Sequence, residues 1–182
     1  MYCVATIQEI QRLACVAPAS ICHTNTKEVE IEGYKIRKGQ LFTANLTKFM
    51  NDAKVFPEPE NFVPERFIQD EGQDVGSHMK LKVFLTLIHK MFSNLNNFIE
   101  LFLQLNILYY MKKINQWVPF GFGKRICAGE SMATSQLFIF FVMLLQQLQF
   151  STPVAHPMPN VNEFTSGFSN IPKPFYVSIS SR

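Results

Sequence analysis

Residues 120–130 read FGFGKRICAGE, which sets Cys127 among three glycines and two cations just ahead of a long apolar stretch. A thiol that binds a metal cofactor needs thiolate character, backbone donors near the sulfur and room for a flat ligand to come close. The stretch offers each of these. Cys127 falls immediately before an expected helix, whose free amides and positive dipole end favour thiolate over thiol. Gly123 and Gly129 permit turns or a close approach that side chains would block. Arg125 is a permanent cation able to pair with a carboxylate. A cysteine taken alone is more often an inert buried thiol, so the neighbours of Cys127 carry the reading.

Other polar residues have plainer readings. Glu9 and Arg12 sit at i and i+3 of an expected helix, where an ordinary surface pair would contribute only ~0.2–0.5 kcal/mol. Cys3, Cys15 and Cys22 are expected to be packing residues. The four cysteines form no C-x-x-C pair or disulfide framework, and Cys22 with His23 lacks zinc-ligand spacing. No Ser, His and Asp arrangement supports hydrolase chemistry.

The elements that must position these groups follow from hydropathy and turn residues. Residues 2–14 contain neither Pro nor Gly and predict a helix ending near Ala17-Pro18. Val29 and Ile31, a turn at Gly33, Tyr34 and Ile36, a turn at Gly39, and Leu41-Phe42 predict a small antiparallel meander. In NDAKVFPEPENFVPERF, Pro57, Pro59 and Pro64 alternate with Phe56, Phe62 and Phe67, an irregular segment whose aromatics are expected to be pinned to a core. Residues 131–149 predict a buried core helix, and IPKPFYVSIS a final strand.

At 182 residues, 47% hydrophobic, the chain suits one globular unit or part of one. The net charge of +3 is spread along the chain, so no basic stripe points to nucleic acid. No targeting signal is expected after Met1, where the chain enters at once into what reads as the middle of a helix.

The pattern F-x-x-G-x-R-x-C-x-G, matched by Phe120, Gly123, Arg125, Cys127 and Gly129, resembles the haem-binding signature of the cytochrome P450 family. The continuation CAGESMA fits it. EIQR (Glu9, Arg12) matches the family's E-x-x-R, and PERF (Pro64 to Phe67) its meander motif, in the family's order. The resemblance implies a mainly α fold with small antiparallel β-sheets, here the C-terminal part of the cytochrome P450 fold. It implies haem b with Cys127 as axial thiolate, a cofactor-binding set of Cys127, Arg125, Phe120, Gly123, Gly129 and His23, and a structural triad of Glu9, Arg12 and Arg66. His23 would be a second propionate partner. The family reaction is O₂-dependent hydroxylation of a small apolar substrate with electrons from an NADPH-dependent reductase or other donor, at the endoplasmic reticulum membrane.

Two departures qualify this. The family's oxygen-activating helix and N-terminal anchor lie upstream of E-x-x-R, so the chain is expected to be truncated. The competing expectation is therefore an inactive fragment that holds haem or a partner. Residues 83–112 lengthen the connection from Phe67 to Trp117 to 50 positions, against 20 without them. Lys90 and Glu100 break this stretch into runs too short to span a membrane. Its 4,3 repeat, from Phe84 to Tyr109, would suit an amphipathic partner or membrane-surface helix. Yet residues 83–111 lack Gly, Ala, Pro and Arg altogether, as AT-rich non-coding sequence translated in frame would. The expectation is a non-family insertion, from a retained intron or a gene-model error.

Overall fold

A computed structural model describes residues 2–68 and 112–182 of the chain. Helix α1 (Tyr2–Ala14) buries Ala5, Glu9 and Arg12, whose spacings of four and three put them on one face. It stops short of Ala17-Pro18 because Cys15 turns left-handed, φ 35°, while its N–H still donates to Gln11 O at 3.1 Å.

Four short strands follow: β1 (His23–Thr24), β2 (Val29–Ile31), β3 (Tyr34–Ile36) and β4 (Leu41–Phe42). β2 and β3 form an antiparallel hairpin with Val29 opposite Ile36. Its turn residues, Glu32 and Gly33, both have positive φ, 51° and 80°, as two-residue hairpin turns require. The expected meander does not continue into a third strand, because β4 pairs with β1, His23 opposite Phe42. Gly39, φ 80°, swings the chain away from β3, and its N–H donates to Asn25 O at 2.9 Å, which delivers Leu41-Phe42 to the earlier strand.

Helix α2 (Leu46–Met50) was not expected; Asn45 caps it by accepting the Lys48 N–H at 3.0 Å. In the proline-rich segment Phe56 and Phe67 are buried, each worth roughly 1.5–3 kcal/mol, whereas Phe62 is exposed rather than pinned. Pro64–Phe67 forms a 3₁₀ turn. Lys112 N–H donates to Phe67 O at 2.9 Å, so the chain re-enters the described fold beside the point where it leaves. The insertion expected at 83–112 lies, apart from Lys112, outside the described residues.

Helix α3 (Glu130–Gln147) corrects another expectation: only Ser135 and Val142 are buried, and Leu137, Phe140, Met143 and Leu144 are exposed. Among the described residues it packs against α1 and β5 (Leu148–Ser151), and a helix apolar all round needs neighbours on every side to be buried. No helix among the described residues is long and apolar enough to cross a membrane. The C-terminal stretch is not one strand. β6 (Phe164–Thr165) pairs with β7 (Ile171–Pro172), while β8 (Ser178–Ser181) pairs with β5, all antiparallel. The described fold is thus helices with small antiparallel sheets.

Among the described residues the core has two clusters. Ala5, Phe56 and Phe67 form one; Cys15, Leu46, Met50 and Val118 form the other, and Trp117 packs against both. Cys3 and Cys22, expected to pack inside, are exposed.

Candidate functional site

The segment from Trp117 to Glu130 is a chain of tight turns. Gly121 N–H donates to Val118 O at 3.0 Å, and Gly121 and Gly123 have φ of 79° and 73°. A Cβ on either would meet nothing within 4 Å, so these glycines answer a backbone requirement and not a lack of space. Gly123–Arg125 is a 3₁₀ turn, closed by Ile126 N–H to Gly123 O at 3.2 Å. Cys127 N–H then donates to Phe120 O at 2.9 Å, which pins the cysteine to the start of its own loop. Glu130 N–H donates to Cys127 O at 3.3 Å and joins the loop to α3, which begins three residues beyond the cysteine and not directly after it. The thiol is exposed, and a Cβ on Gly129 would stand 3.8 Å from its Sγ.

An ion cluster is linked to the loop through Met50. Arg12 grips Glu9 with two parallel bonds, Nε to Oε2 at 2.7 Å and Nη2 to Oε1 at 2.9 Å, and both side chains are 0% exposed. Glu9 Oε1 also accepts from Arg66 Nε at 3.1 Å and from Val63 N–H at 2.9 Å. Other guanidinium hydrogens reach carbonyls: Arg12 Nη1 to Met50 O at 3.0 Å and Arg66 Nη1 to Pro57 O at 3.0 Å. The Arg12 guanidinium also sits 5.2 Å from the Phe56 ring centroid. Burial works to raise the Glu9 carboxyl pKa. The hydrogen bonds from Arg12 and Val63 and the charges of Arg12 and Arg66 outweigh it and hold the group below its ordinary value. Glu9 is therefore in direct contact with both Arg12 and Arg66.

Among the described residues, three of the contacts that tie loop to framework are specific ones. Trp117 Nε1 donates to Gln8 O of α1 at 3.0 Å, Phe49 of α2 meets Phe122 edge-on at 5.8 Å, and Val118 N–H donates to Met50 Sδ at 3.2 Å. Sequence reasoning missed all three partners. Trp117, the single tryptophan and the residue three before Phe120, was the one signal available.

The other anticipated residues are placed less centrally. Phe120 is half-buried and supplies the carbonyl that holds Cys127. Arg125 and Lys124 are exposed, and neither makes an ion pair among the described residues. His23 is half-buried in β1 with its ring 5.8 Å from that of Phe42. Among the described residues no hydrogen bond or ion pair joins it to Arg125 or Cys127.

The donor set fits an iron porphyrin. A single exposed sulfur suits a macrocycle that brings its own equatorial ligands. Phe122 and Ile126 give exposed apolar surface beside it, and Arg125 is a free-standing cation of the kind a propionate takes.

The family model described as Cytochrome P450 matches residues 1–179. Over 181 residues the chain is 33% identical to Cytochrome P450 2U1 of Homo sapiens and 30% identical to Cytochrome P450 2U1 of Rattus norvegicus. It is 28% identical to Cytochrome P450 2D15 of Canis lupus familiaris. All of this chain is covered in each comparison, and it spans 26–29% of the relatives' length.

Proposed function

The chain belongs to the cytochrome P450 family of haem-thiolate monooxygenases, whose cofactor is haem b, and on that premise we propose that Cys127 is the thiolate that would hold the haem. The observation that carries the reading is the loop itself: an exposed sulfur on a backbone closed by the 2.9 Å Cys127-to-Phe120 hydrogen bond. Bound there, the haem iron supplies oxygen-activating redox chemistry. The chain's own residues hold and orient it. Cys127 provides the sulfur, Gly121 and Gly123 the left-handed turns that present it, and Gly129 an uncrowded neighbour. Arg125 would take a propionate. His23 would take a second propionate. Glu9, Arg12 and Arg66 brace the loop through Trp117 and Met50.

The reaction proposed for the protein of which this is the haem-proximal part is hydroxylation of a small apolar substrate. Electrons come from an NADPH-dependent reductase or equivalent donor, at the endoplasmic reticulum membrane. Residues 83–112 stand outside that function as an insertion. Sequencing the transcript across Lys82 to Lys113 tests this, and abundant mature message containing the stretch overturns it.

Titration of the full chain with ferric haem tests the site. The unaltered chain is expected to bind one haem with a thiolate-type spectrum, and Cys127→Ser to lose that spectrum. An identical spectrum in both refutes the assignment.

A further inference from the structure

Val118 opens the loop that carries Cys127, and it is buried. The acceptor for its N–H is the Met50 thioether at 3.2 Å, not a backbone carbonyl. Met50 is 0% exposed, and its own carbonyl accepts Arg12 Nη1 at 3.0 Å. One residue at the end of α2 therefore touches the ion cluster with its backbone and the loop with its side chain. From Val118 the bonding continues: Val118 O accepts Gly121 N–H at 3.0 Å, and Phe120 O accepts Cys127 N–H at 2.9 Å.

A thioether is a weak acceptor on a flexible stem. Leucine in its place would fill a similar volume and accept nothing, leaving a buried N–H unpaired. We propose that Met50 is a positioning residue: its sulfur anchors Val118 and its carbonyl the Arg12 guanidinium, so that the thiolate loop is held in register with the ion cluster. The consequence for Cys127 rests on the haem reading above; the contact at Val118 does not.

Amide exchange of the full chain, followed by NMR without haem and corrected for intrinsic rates, tests the contact. In the unaltered chain the Val118 amide is expected to exchange at least about tenfold more slowly than the exposed Val154 amide; equal rates overturn the proposal whether or not any variant folds. In Met50→Leu, the exchange of Val118 relative to Phe56, whose N–H is held by Asp52 O at 2.8 Å, rises about fivefold. That is one ordinary hydrogen bond, about 1 kcal/mol. A rise below about threefold, including parallel loss at both amides, overturns the contact.

Haem titration of the same variant is the second arm. It is expected to lower the fraction of ferrous carbonyl complex with a thiolate-type Soret band, and an unchanged fraction overturns the link to Cys127. A chain that takes up no haem through Cys127 refutes the proposed function and that link, while the exchange arm still decides the Met50 contact.

Discussion

Replacing Glu9 by glutamine keeps the side chain's shape and removes its charge. Arg12, whose side chain is 0% exposed, and Arg66, at 9%, would then face a neutral amide where two guanidinium groups had shared a carboxylate. Stranding a buried charge in this way typically costs 3–5 kcal/mol, a large part of the roughly 5–15 kcal/mol that holds a domain together. The amide oxygen can still accept from Val63 N–H and from one Arg12 hydrogen, so the lower end, about 3 kcal/mol, is the expected loss. Urea unfolding of the full chain measures it. Removing the Arg12 charge as well, in Glu9→Gln with Arg12→Met, is expected to cost less than the sum of the two single changes, because the fully buried Arg12 charge is then no longer stranded and only Arg66, at 9% exposure, keeps its charge without the carboxylate. A single-variant loss under about 1 kcal/mol, or additivity within about 0.5 kcal/mol, would refute the view of the cluster as one coupled unit.

The same cluster sets an acid limit. Because the folded state holds the Glu9 carboxyl below its ordinary 4.5, the unfolded chain binds that proton more readily. The cluster's stability is complete above that value and is lost as pH falls through the lower folded one; urea midpoints should decline below about pH 4.5, and less steeply in Glu9→Gln. Gly123→Ala forces a Cβ into a backbone of φ 73°, at an expected cost of about 1–2 kcal/mol, visible in the urea midpoint and as weaker haem uptake. Arg125→Leu removes an exposed cation that makes no ion pair among the described residues. Its urea midpoint should hold within about 0.5 kcal/mol while the haem dissociation constant rises roughly tenfold.

Local rules made much of this legible. The helix over α1 follows from a run without Pro or Gly, the β2–β3 hairpin from Gly33, and the turns at residues 121–123 from glycines that the backbone requires in left-handed form. Longer-range choices were not legible. Nothing in Leu41-Phe42 says that it pairs back to His23-Thr24, because a two-residue strand carries no register of its own. The exposed face of α3 escaped for a related reason. Apolar sequence reports a wish for neighbours, and the described residues cover only one side of it. At the candidate site, residue types and spacing singled out Cys127 and Arg125, the residues on which the haem proposal rests. Met50 and Phe49 were invisible, because a methionine or phenylalanine on a short helix reads as core whether or not it also holds a loop.

The central claim is the proposal that Cys127 would be the thiolate ligand to haem iron. The most direct measurement is the absorption spectrum of the full chain loaded with haem, reduced and exposed to carbon monoxide. The account predicts a strongly red-shifted Soret band that disappears in Cys127→His. A histidine-type band in the unaltered chain, or no haem bound at all, would contradict it.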